Sequence, residues 1–286
     1  GWSQKVQVGQ TIPTCSFKGS LESLKFYDSV SQRTHFIGTH LMLRSEFHLK
    51  FGSDNPIVLP VIHVLDHDQA YRNIVIAKLG GCPGVFLINH DFEKEKLLPI
   101  IKSIRAEFPD YWIGINFLAV TGEFAFPILG ALQTEGIRVD GYWADDACID
   151  ERRPIHEQID AARINDVRQN SGWKGLYIGG TAFKKQREVS PSDYAYSAQL
   201  ATQHMDIVVT SGVATGQAAD VEKIKTFREN CGHTSLAIAS GITPENAAEY
   251  KNNVDLFMVA TGINIEGDFY NIDANKLKKL MFAIKH

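Results

Sequence analysis

The feature that most constrains the fold is a regular alternation of short apolar runs and longer amphipathic stretches after residue 55. Eight runs rich in Val, Ile, Leu and aromatic residues have the composition of strands buried on both faces of a parallel sheet. They occupy residues 57–65, 84–88, 112–117, 139–144, 175–180, 205–210, 235–239 and 254–260. Between and after them, apolar residues recur three and four positions apart, as in amphipathic helices. These stretches occupy residues 68–79, 92–107, 123–135, 154–170, 191–203, 217–230, 244–251 and 274–284.

The count of eight strand–helix units decides between two α/β architectures. A doubly wound open sheet usually carries a glycine fingerprint after its first strand. No such fingerprint follows Val64, where the chain reads LDHDQA. Eight units are the number found in a (β/α)8 TIM barrel. We therefore predict a barrel domain over residues 56–286.

Residues 1–55 do not follow this alternation. Turn residues stand at Pro13 and Gly19, and partial alternation over 34–51 predicts one or two strands, which could form a hairpin. A short helix around residues 20–32 is an alternative. We interpret this segment as an N-terminal extension packed on the barrel, and it could instead be a lid or an oligomer contact. A homo-oligomer is therefore compatible with the sequence.

Composition excludes several partner classes. The formal net charge of −4 argues against binding to a nucleic-acid backbone, which usually requires a basic patch. No apolar run approaches the roughly 20 residues of a membrane span, and no secretory signal is visible. Cys15, Cys82, Cys148 and Cys231 lie far apart, without a CxxC pair, as is typical of reduced cytosolic thiols. We expect a cytoplasmic protein.

The ends of the predicted strands supply candidate catalytic residues. Active sites of (β/α)8 barrels lie in the loops that follow the strands. Asp145 and Asp146 end the fourth strand, and one of them could act as a general base or hold a ribose hydroxyl. Alternatively, adjacent residues face opposite ways and one only caps the next helix. Asp66 after the first strand and Asn116 in the third would assist.

The last two strands predict a phosphate site. Gly241 and Gly262 lack a Cβ, so their N–H groups can approach an anion closely. Thr243 is placed to cap a helix that begins at Pro244. The free N–H groups in the first turn of this helix would face the same anion. The other reading is that both glycines only form tight turns. Further predicted ligand contacts come from loops after the fifth to eighth strands: Lys184, Ser211, Gly212, Thr215, Gly216, Ser240 and Thr261.

Lys184 and the histidines leave alternatives open. Lys184 could pair with a phosphate or carboxylate, or form a Schiff base if desolvated. His63 could line the barrel near its mouth or only hydrogen-bond a neighbour. His67 and His90 stand beside carboxylates, so a divalent metal is conceivable, but the chain lacks an HxH or HExxH motif. We predict no cofactor and no metal ligand.

Four motifs resemble the BtpA family of (β/α)8 proteins. They are IGINFLA (113–119), TSGVATG (210–216), SGITPENA (240–247) and VATGINIEGDFYNID (259–273). The family is similar to phosphate-binding barrels, and some members are labelled nucleosidases or sugar-phosphate enzymes. The resemblance implies that these residues occupy family positions: Asn116, Ser211, Gly212, Thr215, Gly216, Ser240, Gly241, Asn246, Thr261, Gly262 and Asp273.

Together these observations predict an enzyme that acts on a small phosphorylated sugar or nucleotide-like metabolite. The seventh and eighth strands would hold the phosphate, and the carboxylates would do acid–base work. Nucleosidase-like cleavage of a glycosidic bond by a hydrolase and aldose–ketose proton transfer by an isomerase both fit. The alternative is a non-catalytic, BtpA-like assembly or regulatory factor that retains a ligand-binding barrel.

Overall fold

The computed structural model describes residues 40–286, in which eight parallel strands close into a barrel. Each strand pairs with the next along the chain, and the last pairs with the first, with Ile57 opposite Leu256. The strands are β1 (Ile57–His63), β2 (Gly84–Ile88), β3 (Trp112–Asn116), β4 (Gly141–Ala144), β5 (Leu176–Gly180), β6 (Ile207–Ser211), β7 (Ser235–Ala239) and β8 (Leu256–Val259). This topology confirms the predicted (β/α)8 barrel.

The helices follow the strands as the amphipathic pattern predicts, with one exception. An additional helix, α1 (Arg44–Phe51), precedes the barrel. The others are α2 (His67–Leu79), α3 (Lys94–Glu107), α4 (Gly122–Thr134), α5 (Ile159–Ser171), α6 (Tyr194–Ala201), α7 (Val221–Asn230) and α8 (Ala274–Lys285). No helix within residues 40–286 is long and apolar enough to cross a membrane.

The exception is the predicted helix over 244–251, which is wrong as an α-helix. A turn follows Thr243, and only Ala247–Glu249 form a short 3₁₀ segment. The predicted cap is present, because Asn246 N–H donates to Thr243 Oγ1 over 3.2 Å. However, the Asn246 side chain also donates to the Gly241 carbonyl over 2.7 Å, which holds the chain in a turn. Asn favours turns by such local bonds, so the cap does not extend into a helix.

The predicted strand pairing over residues 34–51 is also wrong where the structure describes it. Residues 44–51 form α1, because three of its side chains fit the underside of the barrel. Phe47 is fully buried, and Arg44 Nε and His48 Nε2 each lie 2.7 Å from the buried Asp255 Oδ1. These contacts recur at helical spacing, which partial alternation in the sequence does not reveal. The predicted turns at Pro13 and Gly19 and the alternative helix around 20–32 lie outside the described residues, and the domain boundary at 56 stays a prediction.

The barrel interior is a separate apolar cluster made by alternate strand residues. Strands β3 and β4 each contribute a tryptophan to this cluster, Trp112 and Trp143. The other six strands contribute smaller apolar side chains. Phe47 from α1 belongs to this cluster and closes its lower end. A second, larger cluster lies between the strands and the helices. The upper end is where polar groups collect.

Phe47→Ala should destabilise the fold strongly. Removing a buried phenylalanine costs about 3–5 kcal/mol, because it leaves a cavity that the surroundings fill only partly. Urea denaturation should show that loss in the free energy of unfolding. Leu49→Ala is the matched control, since Leu49 lies on the same helix with 83% of its surface exposed. Equal effects of the two changes would contradict the role of Phe47 in closing the barrel.

Candidate active site at the barrel mouth

The carboxyl ends of the strands surround a cavity lined by both apolar and polar residues. Side chains alternate across each strand, so the residue two positions beyond an interior one faces inward again. Val61 and Trp143 face the interior, and His63 and Asp145 accordingly line the cavity. Asp146 follows the opposite phase. The remaining lining comes from residues of the loops after the strands, among them His90, Lys184, Lys185, Thr215, Gly216, Ser240, Gly241, Thr261 and Gly262.

Asp145 is held by the neighbouring strand. Asn116 on β3 is buried and donates its Nδ2–H to Asp145 Oδ1 over 3.1 Å. Burial raises the pKa of the Asp145 carboxyl, while the bond from Asn116 and the charge of Lys184 act in the opposite direction. A carboxyl with a raised pKa is closer to the range in which it both accepts and donates protons near neutrality. Asp145 is therefore suited to acid–base chemistry.

Lys184 approaches the mouth from the loop after β5. Its Nζ donates to Ser240 Oγ over 2.6 Å and to Thr215 Oγ1 over 3.3 Å. Burial lowers the pKa of Lys184, with the Asp145 charge opposing this shift. Its backbone N–H donates to Ser211 Oγ over 2.8 Å, which fixes the base of the loop. Within residues 40–286, the hydrogen-bond partners of the Lys184 ammonium group are these two hydroxyls. No carboxylate in that part of the chain forms a salt bridge with it.

The turns after β7 and β8 pack closely on their neighbours. A Cβ on Gly241 would lie 2.1 Å from Ala218 N, and one on Gly262 would lie 1.8 Å from Ile242 O. Gly241 also has φ of 71°, a conformation that favours glycine. The tight-turn explanation therefore accounts for both glycines. In addition, the N–H groups of Gly241 and Gly262 donate to no acceptor within residues 40–286.

Several predicted residues lie outside the cavity lining. Asp66 Oδ1 accepts from Gln69 N–H over 2.8 Å and caps α2. Asp146 Oδ1 accepts from Cys148 N–H over 2.7 Å within its own loop. Ser211 and Gly212 support neighbouring loops rather than the cavity, while Asn116 stands behind Asp145. The structure thus brings together Asp145, Asn116, Lys184 and the turns of β6–β8.

Three aromatic rings at the mouth were not among the predicted catalytic or binding residues. The rings of His63 and Phe269 stack with centroids 3.8 Å apart, and His90 meets His63 edge-on at 4.7 Å. Burial lowers the pKa of His63 to about 4 and also lowers that of His90. The sequence left open whether His63 lines the mouth or only hydrogen-bonds a neighbour, and in the structure it does both. Phe269 lies in the loop between β8 and α8, where no periodic pattern indicates its partner.

The residues considered for a metal do not assemble. His67 Nδ1 lies 2.9 Å from Asp68 Oδ1, and its Nε2 lies 2.8 Å from Glu107 Oε1, away from the cavity lining. Within residues 40–286, no three His, Cys, Asp or Glu side chains form a group that could hold a metal ion. The prediction that the protein uses no cofactor stays a prediction.

Backbone strain is concentrated around this end of the barrel. All non-glycine residues with positive φ in the described chain lie in loops that follow strands. They are Ala119, Cys148, Ala182, Lys185 and Ser240. Such conformations cost of the order of 1–3 kcal/mol each and cluster at functional sites. The strain marks the same end of the barrel as the cavity.

Comparison with known proteins supports the fold and the family resemblance. The BtpA family model matches residues 184–286. This BtpA match begins at Lys184 and includes the loops after β6, β7 and β8. No curated protein matches the chain significantly.

Solved structures with the same fold have low sequence identity. Tryptophan synthase subunit alpha from Legionella pneumophila superposes with a TM-score of 0.60 at 16% identity, covering 85% of this chain and 99% of its own. Phosphoribosylanthranilate isomerase from Thermotoga maritima gives 0.52 at 13% identity, covering 80% and 98%. A native KDPGal structure gives 0.54 at 13% identity, covering 80% and 94%. At these identities the likeness shows the barrel fold.

The depressed pKa of His63 predicts a pH dependence of stability. The unfolded chain binds a proton at His63 below about pH 6.5, whereas the folded protein does so only near pH 4. Stability should therefore fall as pH drops through this window, with His63 contributing about 2 kcal/mol between pH 7 and 4.5. Urea denaturation at both pH values should show a smaller loss for His63→Phe than for the unaltered protein. His67→Gln, at a more exposed histidine, should retain the full loss; identical behaviour of both variants would contradict the assignment.

Proposed function

We propose that this chain is an enzyme that binds a small phosphorylated sugar or nucleotide-like metabolite in the barrel mouth and moves a proton on it. The observation that carries this proposal is the position of the Lys184 ammonium group. It is directed to Ser240 Oγ at the β7 turn, beside the free N–H of Gly241. A positive charge, hydroxyls and free N–H groups at one place form a set of donors that suits a phosphate.

The anion would be bound mainly by charge-assisted hydrogen bonds. Lys184 supplies the charge, Ser240 and Thr261 supply hydroxyls at the cavity wall, and Gly241 and Gly262 supply N–H groups. Hydrogen bonds to a charged group contribute about 1.5–3 kcal/mol each. The match of the BtpA model over the loops from Lys184 onward supports the same location.

Asp145 would transfer the proton, with Asn116 holding one of its oxygens. Of the carboxylates within the described chain, Asp145 lines the cavity. Asp146 does not, and it bonds within its own loop. Glycoside hydrolysis usually requires two carboxylates on either side of the bond. The geometry therefore favours isomerase-type proton transfer over nucleosidase-like cleavage. One neighbour of this fold is, by its name, an isomerase of a phosphoribosyl compound, which accords with this reaction class.

Lys184→Met should weaken binding of phosphorylated ligands. Loss of one charge-assisted bond corresponds to about a 10- to 100-fold increase in Kd. The measurement is titration calorimetry with inorganic phosphate and with ribose 5-phosphate. Lys225→Met is the control, because it removes the same charge from an exposed position on α7 outside the cavity lining. An equal loss of affinity in both variants would indicate that the ligand responds to the overall positive charge of the protein rather than to a site at Lys184.

Asp145→Asn should abolish proton transfer without abolishing binding. A positioned acid–base group contributes roughly 10²- to 10⁴-fold in rate. Aldose and ketose phosphates can be incubated with the protein in D₂O, and NMR then reports deuterium incorporation next to the carbonyl. Asp146→Asn is the control and should stay within about threefold of the unaltered rate, since Asp146 lies outside the cavity lining and the Asn oxygen can still accept from Cys148 N–H.

The outcomes separate catalysis from binding alone. Ligand binding without exchange or conversion of any tested sugar phosphate would favour a non-catalytic ligand-binding factor. Full activity of Asp145→Asn would overturn its assignment as the acid–base group. Absence of binding by every phosphorylated ligand would overturn the proposal as a whole.

A further inference from the structure

His63 occupies a defined place in the mouth that the proposed phosphate and proton-transfer groups do not account for. It ends β1, in phase with the interior residue Val61, and only 6% of its surface is exposed. Its ring packs against two others, with Phe269 parallel at an interplanar angle of 6° and His90 edge-on at 89°. The ring plane is therefore fixed by packing.

One hydrogen bond also fixes the tautomer of His63. Its Nδ1 lies 2.9 Å from the Phe269 carbonyl oxygen. A carbonyl oxygen only accepts, so the proton of the neutral ring must be on Nδ1, and Nε2 carries a lone pair. Burial lowers the pKa of His63 to about 4, which keeps the ring neutral near pH 7. His63 is thus a hydrogen-bond acceptor at Nε2.

The loop that carries Phe269 is held in place by two buried amides of α2, which bond to its neighbours Tyr270 and Ile272. Gln69 Nε2 donates to the Tyr270 carbonyl over 2.7 Å and to the His63 carbonyl over 3.1 Å. Asn73 Oδ1 accepts from Ile272 N–H over 2.7 Å. Gln69 and Asn73 are 2% and 1% exposed, so these bonds are shielded from water. The loop between β8 and α8 is consequently fixed against β1, and the tautomer of His63 with it.

His63 Nε2 is an acceptor in a mouth that otherwise offers mainly donors. It has no hydrogen-bond partner within residues 40–286, and the ring lines the same cavity as Lys184 and Asp145. The donors Lys184 Nζ and the N–H groups of Gly241 and Gly262 suit a phosphate. A ligand hydroxyl has one O–H donor, which can bond to an acceptor such as Nε2.

We propose that His63 Nε2 accepts a hydrogen bond from a hydroxyl group of the phosphorylated ligand and so selects hydroxyl-bearing sugar phosphates over phosphate itself. This inference rests on the proposed function, because it assumes that the phosphate occupies the turns of β7 and β8. His63 acts here as a specificity-determining residue. Asp145 remains the group that moves the proton.

His63→Asn tests the role of Nε2 with the least disturbance. The Asn side-chain N–H can replace the bond from Nδ1 to the Phe269 carbonyl, but no acceptor then stands where Nε2 was. We expect the Kd for ribose 5-phosphate to rise about tenfold, as for loss of one hydrogen bond. The Kd for inorganic phosphate should stay within about twofold. His63→Gln, which can place an amide oxygen near the former Nε2, should recover part of the loss.

The controls distinguish failure of this inference from failure of the proposed function. If phosphate binds normally and His63→Asn binds ribose 5-phosphate as tightly as the unaltered protein, only the role of His63 is overturned. Equal affinities of the unaltered protein for phosphate and for five- and six-carbon sugar phosphates would also overturn it. If neither phosphate nor any sugar phosphate binds, both proposals fall.

A spectroscopic test does not depend on the stability of a variant. The ¹⁵N shifts of the His63 ring in the intact protein at pH 7 should show a protonated Nδ1 and an unprotonated Nε2. Addition of ribose 5-phosphate should shift the Nε2 signal, whereas inorganic phosphate should leave it nearly unchanged. A ring protonated at Nε2, or no response to any sugar phosphate that binds, would overturn the inference.

Discussion

Closure of the parallel sheet is the constraint on which the rest of the structure depends. Once eight strands close, every second side chain must enter the barrel, and the interior must be filled to a density that leaves few voids. The same alternation continues past the apolar cluster to the strand ends. It places His63 and Asp145 in the mouth and directs Asp146 elsewhere. The position of the candidate site is therefore a consequence of packing.

The closed barrel also explains why charged groups at its mouth have shifted pKa values. Burial disfavours the charged form of each group, raising the pKa of Asp145 and lowering those of Lys184 and His63. Asp145 and Lys184 partly offset each other through their opposite charges. These shifts bring the pKa values of Asp145 and Lys184 closer to neutral pH. A phosphate beside Lys184 would further favour the charged amine.

Much of the barrel could be predicted from the sequence, because strand burial and helix amphipathicity are local patterns. The eight strands lie where the apolar runs predict them. The prediction for residues 44–51 is wrong because their helix depends on contacts with residues distant in the sequence. Phe47 packs into the barrel interior, and Arg44 pairs with Asp255. Likewise, Asp145 and Asp146 could not be separated without the phase of β4. Phe269 could not be connected with His63, since their contact joins opposite ends of the chain.

The loops of the mouth are held by contacts that local patterns do not indicate. Lys223 on α7 is buried and donates its Nζ–H groups to the carbonyls of Ala182 and Ser211, over 2.7 Å and 2.6 Å. It thereby ties together the ends of β5 and β6, next to the loops that carry Lys184 and Thr215. Burial disfavours the charged form of Lys223 and lowers its pKa to about 8. Keeping this ammonium group charged in the interior therefore costs free energy.

The free-energy cost of burying Lys223 indicates that the loops at the mouth keep a defined shape at the expense of stability. The loops after β5–β8 contain strained backbone at Ala182 and Ser240 and glycines in contact with neighbouring backbone. A buried lysine on α7 donates to their carbonyls. None of these features would be required to close a barrel. Together they hold the Lys184 amine, the β7 turn and the β8 turn in fixed relation, which would reduce the reorganisation needed to bind the proposed anion.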